Sequence, residues 1–90
     1  MLVEMFNSAC ESCGVLEPEL IGISKDYDSK IRTRRINAED NSALTKTWGI
    51  KEFPTLLFFV KGNLAWRHAG LVRMDQLTRM IEETEGFMAH

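Results

Sequence analysis

Cysteine, proline and net charge are all scarce in this chain of 90 residues. Two cysteines are too few for the dense disulfide framework on which small secreted domains rest. Two prolines and six glycines, scattered through the chain, exclude collagen-like, proline-rich and linker-like sequences. A net charge of −2 gives no electrostatic reason to expect nucleic acid or an anionic membrane as partner. No apolar run approaches the roughly 20 residues of a membrane-spanning helix. Met1 to Phe6 is too short for the core of a secretion signal and carries Glu4, so a cytoplasmic protein is expected. There is no internal repeat and no low-complexity tract. What remains is ordinary for a globular protein, 44% hydrophobic and 27% charged. One domain over residues 1–90 is expected, burying about 60–65% of its unfolded surface.

The two cysteines stand together, at Cys10 and Cys13, directly after an apolar run and at the mouth of an expected helix. A thiol at a helix N-terminus ionises more easily, because free backbone N–H groups and the helix dipole stabilise the thiolate. A second thiol one turn further on can close a disulfide or resolve a mixed one. In a chain without a targeting signal, such a pair fits catalysis or metal binding better than a structural staple. As a metal site it supplies two of the four ligands that a structural zinc needs, and His68 and His90 are remote in sequence. No metal is therefore expected.

Periodicity predicts the element order β-α-β-α-β-β-α, hence one mixed four-stranded sheet with flanking helices, an α/β fold. Met1 to Phe6 reads as a strand buried on both faces. A helix from about Cys10 to Tyr27 follows, with Val15, Leu16, Leu20, Ile21 and Ile23 as its apolar stripe and Ser8 with Glu11 as a capping box. Pro18 lies inside it, costs about 3 kcal/mol in an unrelieved interior, and is expected to kink the helix. Ile31 to Asn37 reads as an edge strand, since Arg32, Arg34 and Arg35 are the kind of charge that blunts an unpaired edge. The other reading of those arginines is a docking patch for an acidic partner. A short helix capped by Asp40 or Asn41 ends at Gly49. Thr55–Val60 and Leu64–Ala69 form a hairpin about Lys61-Gly62-Asn63. A last helix, about Met74 to Thr84, buries Met74, Leu77, Ile81 and Met80. Trp48, Trp66 and the phenylalanines belong to the core or its margin, and His68 to the last edge strand.

Cys-x-x-Cys beside a βαβ pattern resembles the redox motif of the thioredoxin family. Leu2-Val3-Glu4-Met5-Phe6 resembles that family's central strand, and Pro18 its helix proline. The segment Trp48 to Phe59, with Gly49-Ile50 and Pro54-Thr55-Leu56, is similar to the family's Gly-Ile…Pro-Thr-Leu stretch, whose proline is cis and faces the disulfide. Gly62 and Gly70 fall at the family's hairpin and pre-helix glycines. The resemblance runs without a gap to about Glu85. It implies a thioredoxin-like fold in the shorter, glutaredoxin-sized form, lacking the family's first strand and helix. Glu11 and Ser12 replace Gly-Pro between the cysteines, and Ala9 and Gly14 replace a tryptophan and a basic residue. Glu4 stands at the family's buried aspartate, with Arg35 at the place of its lysine partner.

The resemblance implies a thiol–disulfide oxidoreductase, a protein disulfide reductase with no cofactor beyond its own Cys10–Cys13 pair. Cys10 is the attacking thiol, Cys13 resolves, and Glu4 is the candidate proton carrier. Phe53, Pro54 and Thr55 are the candidate substrate-binding segment, presenting backbone to an extended chain. Glu11 and Ser12 tune the pair. The charge of Glu11 beside Cys10 and the loss of a basic residue at Gly14 both oppose the thiolate and so favour the disulfide. A reducing potential follows, nearer the roughly −270 mV of a reducing thioredoxin than the roughly −120 mV of a strongly oxidising dithiol. The implied partners are disulfide-containing proteins and a reductase as electron donor, acting on a monomer. The alternatives are a glutaredoxin-like reductase of glutathione mixed disulfides and a non-catalytic metal-binding or interaction module on the same fold.

Overall fold

The computed structural model describes residues 1–27 and 30–87. The order of elements is β1 (Leu2–Phe6), α1 (Glu11–Asp26), β2 (Thr33–Asn37), α2 (Ser42–Thr47), β3 (Thr55–Val60), β4 (Asn63–Ala69) and α3 (Met74–Glu82). They form one four-stranded sheet in the order β2-β1-β3-β4, with β1 parallel to β2 and the other pairs antiparallel. The α/β class and the mixed sheet read from the sequence are the ones observed, and β2 lies at an edge as its arginines implied.

Central β1 is buried on both faces because its alternate residues enter two separate cores. Leu2 packs with Leu16, Leu20 and Ile23 of α1, with Leu56 and Phe58 of β3, and with Leu77 and Ile81 of α3. Val3 and Met5 pack on the other side with Ala38, Ile50 and Leu57. The period of 2 along a strand assigns these faces. The two faces are unequally covered. Sixteen residues of α1 and nine of α3 lie over the first, whereas α2 has six residues and buries none of them.

The stripe of α1 differs from the expectation. Cys13, Leu16, Leu20 and Ile23 are its buried residues, while Val15 is 64% and Ile21 51% exposed. Each of those two sits one residue, or about 100°, away from the stripe, and the rotation that buries Leu16 and Leu20 turns them to solvent. The helix continues through Pro18, which is exposed; the bond its missing N–H forgoes is the one to the carbonyl of Gly14. Ser8 is not the cap: Cys10 occupies the N-cap position, with no side-chain cap bond. The short helix α2 has Asn41 at its N-cap and ends at Gly49 (φ +63) in a Schellman arrangement, with Ile50 N–H bonded to the Thr45 carbonyl and Gly49 N–H to that of Lys46.

Three further boundaries moved. β2 begins at Thr33, two residues after buried Ile31. In α3, Leu77 and Ile81 are fully buried, whereas Met74 and Met80 are only half-buried against the core, and the helix stops at Glu82. The hairpin turn is two residues, Lys61-Gly62, both with positive φ (+54 and +82), because Asn63 already belongs to β4. Positive φ at both central positions is the signature of a type I′ turn, where Asn-Gly is favoured and a side chain as long as lysine is not. Lys61→Asn is expected to stabilise the fold by about 0.5–1 kcal/mol, since asparagine tolerates the left-handed region better. Urea unfolding of the two proteins checks this through the midpoint, and an unchanged or lower midpoint for the variant contradicts it.

Candidate active site

The chain leaves β1 at Phe6 and reaches α1 through Asn7–Cys10, which puts Cys10 where the helix starts. Cys10 has extended backbone (φ −90, ψ 98), and its N–H bonds the Asn7 carbonyl at 3.2 Å. Cys10 and Cys13 are joined by a disulfide, with Cα atoms 5.5 Å apart. The two sulfurs differ in surroundings. Cys13 continues the buried stripe of α1 three residues before Leu16 and is 2% exposed, whereas Cys10, ahead of the first turn, is half-exposed. Ser12 Oγ lies 3.6 Å from Cys10 Sγ, and Glu11 stands exposed in the first turn.

Glu39 is a residue at this end of the molecule that sequence reasoning missed. Its Oε1 accepts the backbone N–H of Ser8 at 2.8 Å, two residues ahead of Cys10. Its own N–H donates to Asn37 Oδ1 at 2.8 Å, so the end of β2 braces the loop that carries the exposed cysteine. The Ser8 N–H holds the Glu39 carboxyl below its ordinary value. Thirty-one residues separate the partners, and no local pattern announces such a contact.

Glu4 lies on the same face of β1 as Leu2, under α1, and is fully buried at 0% exposed. The parallel register sets it beside Arg35, whose Nε donates to Glu4 Oε1 at 2.9 Å. Arg35 also lies 4.2 Å over the ring of Phe6 and 3.5 Å from Glu17 of α1. The arginine at the place of the family's lysine is therefore an ion-pair partner. Glu4 Oε2 is buried with no hydrogen-bond partner among the described residues. Burial pushes the Glu4 carboxyl above its ordinary value, against the hydrogen bond and charge of Arg35, which pull it down.

The peptide bond between Phe53 and Pro54 is cis. Met5 pairs with Thr55, so Pro54 falls opposite the end of β1 and shares the dithiol's end of the sheet. Pro54 and Thr55 are buried; the Pro54 carbonyl accepts Gly70 N–H at 2.8 Å, and Thr55 Oγ1 donates to the Glu52 carbonyl. Phe53 is half-buried, its side chain packed against the Val3–Leu57 core. Among the described residues no group of three or more His, Cys, Asp or Glu could hold a metal ion. His68 is half-buried on β4 with its Nε2 3.4 Å from the Leu71 carbonyl, and His90 lies outside the described residues. No helix of the described residues is long and apolar enough to cross a membrane.

The family model described as Thioredoxin matches residues 1–83. The chain is 31% identical over 86 residues to the chloroplastic M-type thioredoxin of Zea mays, covering 96% of this chain and 52% of that protein. It is 30% identical over 81 residues to a thioredoxin of Rickettsia bellii, covering 90% of this chain and 77% of that one. The chain thus spans about half the length of the plant relative and about three quarters of the bacterial one. Among solved structures, a mutant thioredoxin from Halobacterium salinarum superposes with a TM-score of 0.81 at 25% identity, covering 97% of this chain and 75% of that one. The structure titled "Structure of a malarial protein" shares the fold, with a TM-score of 0.85 at 19% identity over 93% of this chain and 94% of that one. The chain belongs to the thioredoxin family, whose members are dithiol–disulfide oxidoreductases, and its Cys10–Cys13 pair places it in that class. Members of that family act on disulfide-containing substrates with a reductase as donor and need no cofactor beyond the redox pair.

A carboxyl whose folded value is raised destabilises the fold as pH climbs, because the native state then holds a proton that the unfolded chain has released. Relative to its protonated form, Glu4 loses stability from the ordinary carboxylate value up to its raised value, and the loss is complete above that. Glu4→Gln is therefore expected to melt higher than the parent at pH 8, with the gap closing below about pH 4. Thermal melts across that range check this; a gap that widens toward acid contradicts it.

Proposed function

We propose that the protein is a protein disulfide reductase in which Cys10 is the attacking thiol and Cys13 the resolving one. The observation that carries this reading is the unequal burial of two joined sulfurs, one half-exposed at a helix N-terminus and one sealed beneath it. In the reduced protein the Cys10 thiolate attacks one sulfur of a substrate disulfide. A Cys10–substrate disulfide forms, the substrate S–S bond breaks, and the departing sulfur leaves as a thiolate that takes a proton from water. Cys13 then gives up its proton and attacks Cys10 Sγ, closing the internal disulfide and expelling the second substrate thiolate. Two electrons pass from the dithiol to the substrate, and a reductase restores the dithiol.

Cys13 must ionise where water is scarce, so it needs an acceptor. Glu4 is assigned that role: its Oε2 is unpartnered, Arg35 occupies only Oε1, and burial raises its proton affinity toward working pH. Transfer runs through an intervening water. Phe53, Pro54 and Thr55 form the substrate-binding segment: the Phe53 backbone pairs with an extended substrate, and cis Pro54 and sheet-bound Thr55 hold it in place. Glu11 opposes the Cys10 thiolate and so tunes the pair toward the disulfide, while Ser12 Oγ, 3.6 Å from Cys10 Sγ, can donate to the thiolate and tunes it the other way. We place the protein in a reducing compartment, the cytoplasm, acting as a monomer on protein disulfides.

Insulin reduction with a dithiol donor tests the roles separately. Cys10→Ser is expected to abolish turnover, and Cys13→Ser to stall as a Cys10–substrate mixed disulfide visible by mass. Glu4→Gln is expected to slow resolution at pH 7 by at least about tenfold while leaving the first attack unchanged. The redox potential is expected below that of the glutathione couple. Turnover by Cys10→Ser, or a potential above glutathione's, contradicts the assignment.

A further inference from the structure

The lightly covered face of the sheet carries an apolar groove of about 360 Å³, lined by Met1, Val3, Ile36, Trp48 and Phe59, with Arg34 and Lys61 at its mouth. Its origin is geometric. The six residues of α2 extend about 9 Å, against about 17 Å for a five-residue strand, and α2 is tied to the dithiol end, where Thr45 Oγ1 donates to the Ala38 carbonyl and Ala38 N–H to that of Phe6. The opposite end of the face is left without a helix. Trp48 and Phe59 meet there with ring centroids 5.7 Å apart, and both stay half-exposed.

The charge at the mouth is one-sided. Arg34 is set beside Val3 by the β1–β2 register and so faces the groove, unlike Arg35, which faces α1 and pairs with Glu4. Neither Arg34 nor Lys61 makes an ion pair with any described residue, although the chain as a whole is acidic. Lys61 moreover holds a left-handed turn position that suits asparagine better, so the turn alone does not explain a cation there.

We propose that this groove docks an acidic amphipathic helix of a partner protein, its apolar residues on Trp48, Phe59 and Ile36 and its carboxylates on Arg34 and Lys61. β1 runs from the groove at Met1 to the dithiol at its far end, so an occupant here leaves Cys10 free. The surface tethers the oxidoreductase to a complex and takes no part in thiol exchange.

The probe is a fluorescein-labelled amphipathic peptide with Leu and Phe on one helical face and Glu flanking them, beside the same peptide with Lys in place of Glu. Anisotropy titration is expected to favour the Glu peptide by about tenfold or more at low salt, the preference fading at high salt. Amide shifts are expected at Val3, Arg34, Ile36, Trp48, Phe59 and Lys61. The double variant Arg34→Glu with Lys61→Glu should invert the preference, and saturating peptide should leave insulin reduction unchanged, a readout independent of docking. Equal binding of the two peptides, shifts elsewhere, or concentration-dependent dimerisation through this face would each overturn the proposal. So would an aromatic sulfonate dye that fills the groove and is not displaced by the Glu peptide.

Discussion

Everything at the redox end depends on one packing register, that of α1 against the central strands. Leu16, Leu20 and Ile23 bury against Leu2, Leu56 and Phe58, and a helix so locked has no freedom to rotate. Cys13 lies one turn before Leu16 on the same stripe and is carried into the interior with it. Cys10, one residue before the helix begins, is freed from that stripe by its extended backbone. Hydrophobic burial thus makes two chemically identical sulfurs unequal, and the proposed division into an attacking and a resolving thiol rests on that inequality.

Beneath the helix the same face holds a charged pair among apolar neighbours. A buried carboxylate is costly without a partner, and Arg35 meets that cost at one oxygen only. The guanidinium is itself held by Phe6 and Glu17, so the arrangement ties β1, β2 and α1 together. Its incompleteness fits the proposed proton transfer, since a fully satisfied carboxylate would have no lone pair to offer a proton. Stability is given up at the position where proton transfer is assigned.

Much of this was legible in the residues. The element order follows from apolar runs punctuated by Gly49, Gly62 and Gly70, all with positive φ, and the edge placement of β2 follows from its arginines. Of the candidate site, the Cys10–Cys13 disulfide and the cis bond before Pro54 were legible, through Cys-x-x-Cys and the Pro54-Thr55 segment, whose family pattern is specific. What escaped was set by distance in sequence or by a choice between near-equal faces. Ser8 and Glu11 have the form of a capping box, but the Ser8 N–H is taken by Glu39 from across the sheet. Val15 and Ile21 are as apolar as the residues beside them, and only the packing of Leu16 and Leu20 decides which side faces inward. The groove at Trp48 follows from a helix too short for its sheet, and no single residue signals it.

Alkylation of the reduced protein with iodoacetamide across pH, followed by peptide mass analysis, addresses the inequality of the two thiols directly. The account predicts that Cys10 is modified first, while Cys13 stays protected until the fold is opened. Equal modification of the two, or Cys13 reacting ahead of Cys10, would contradict it.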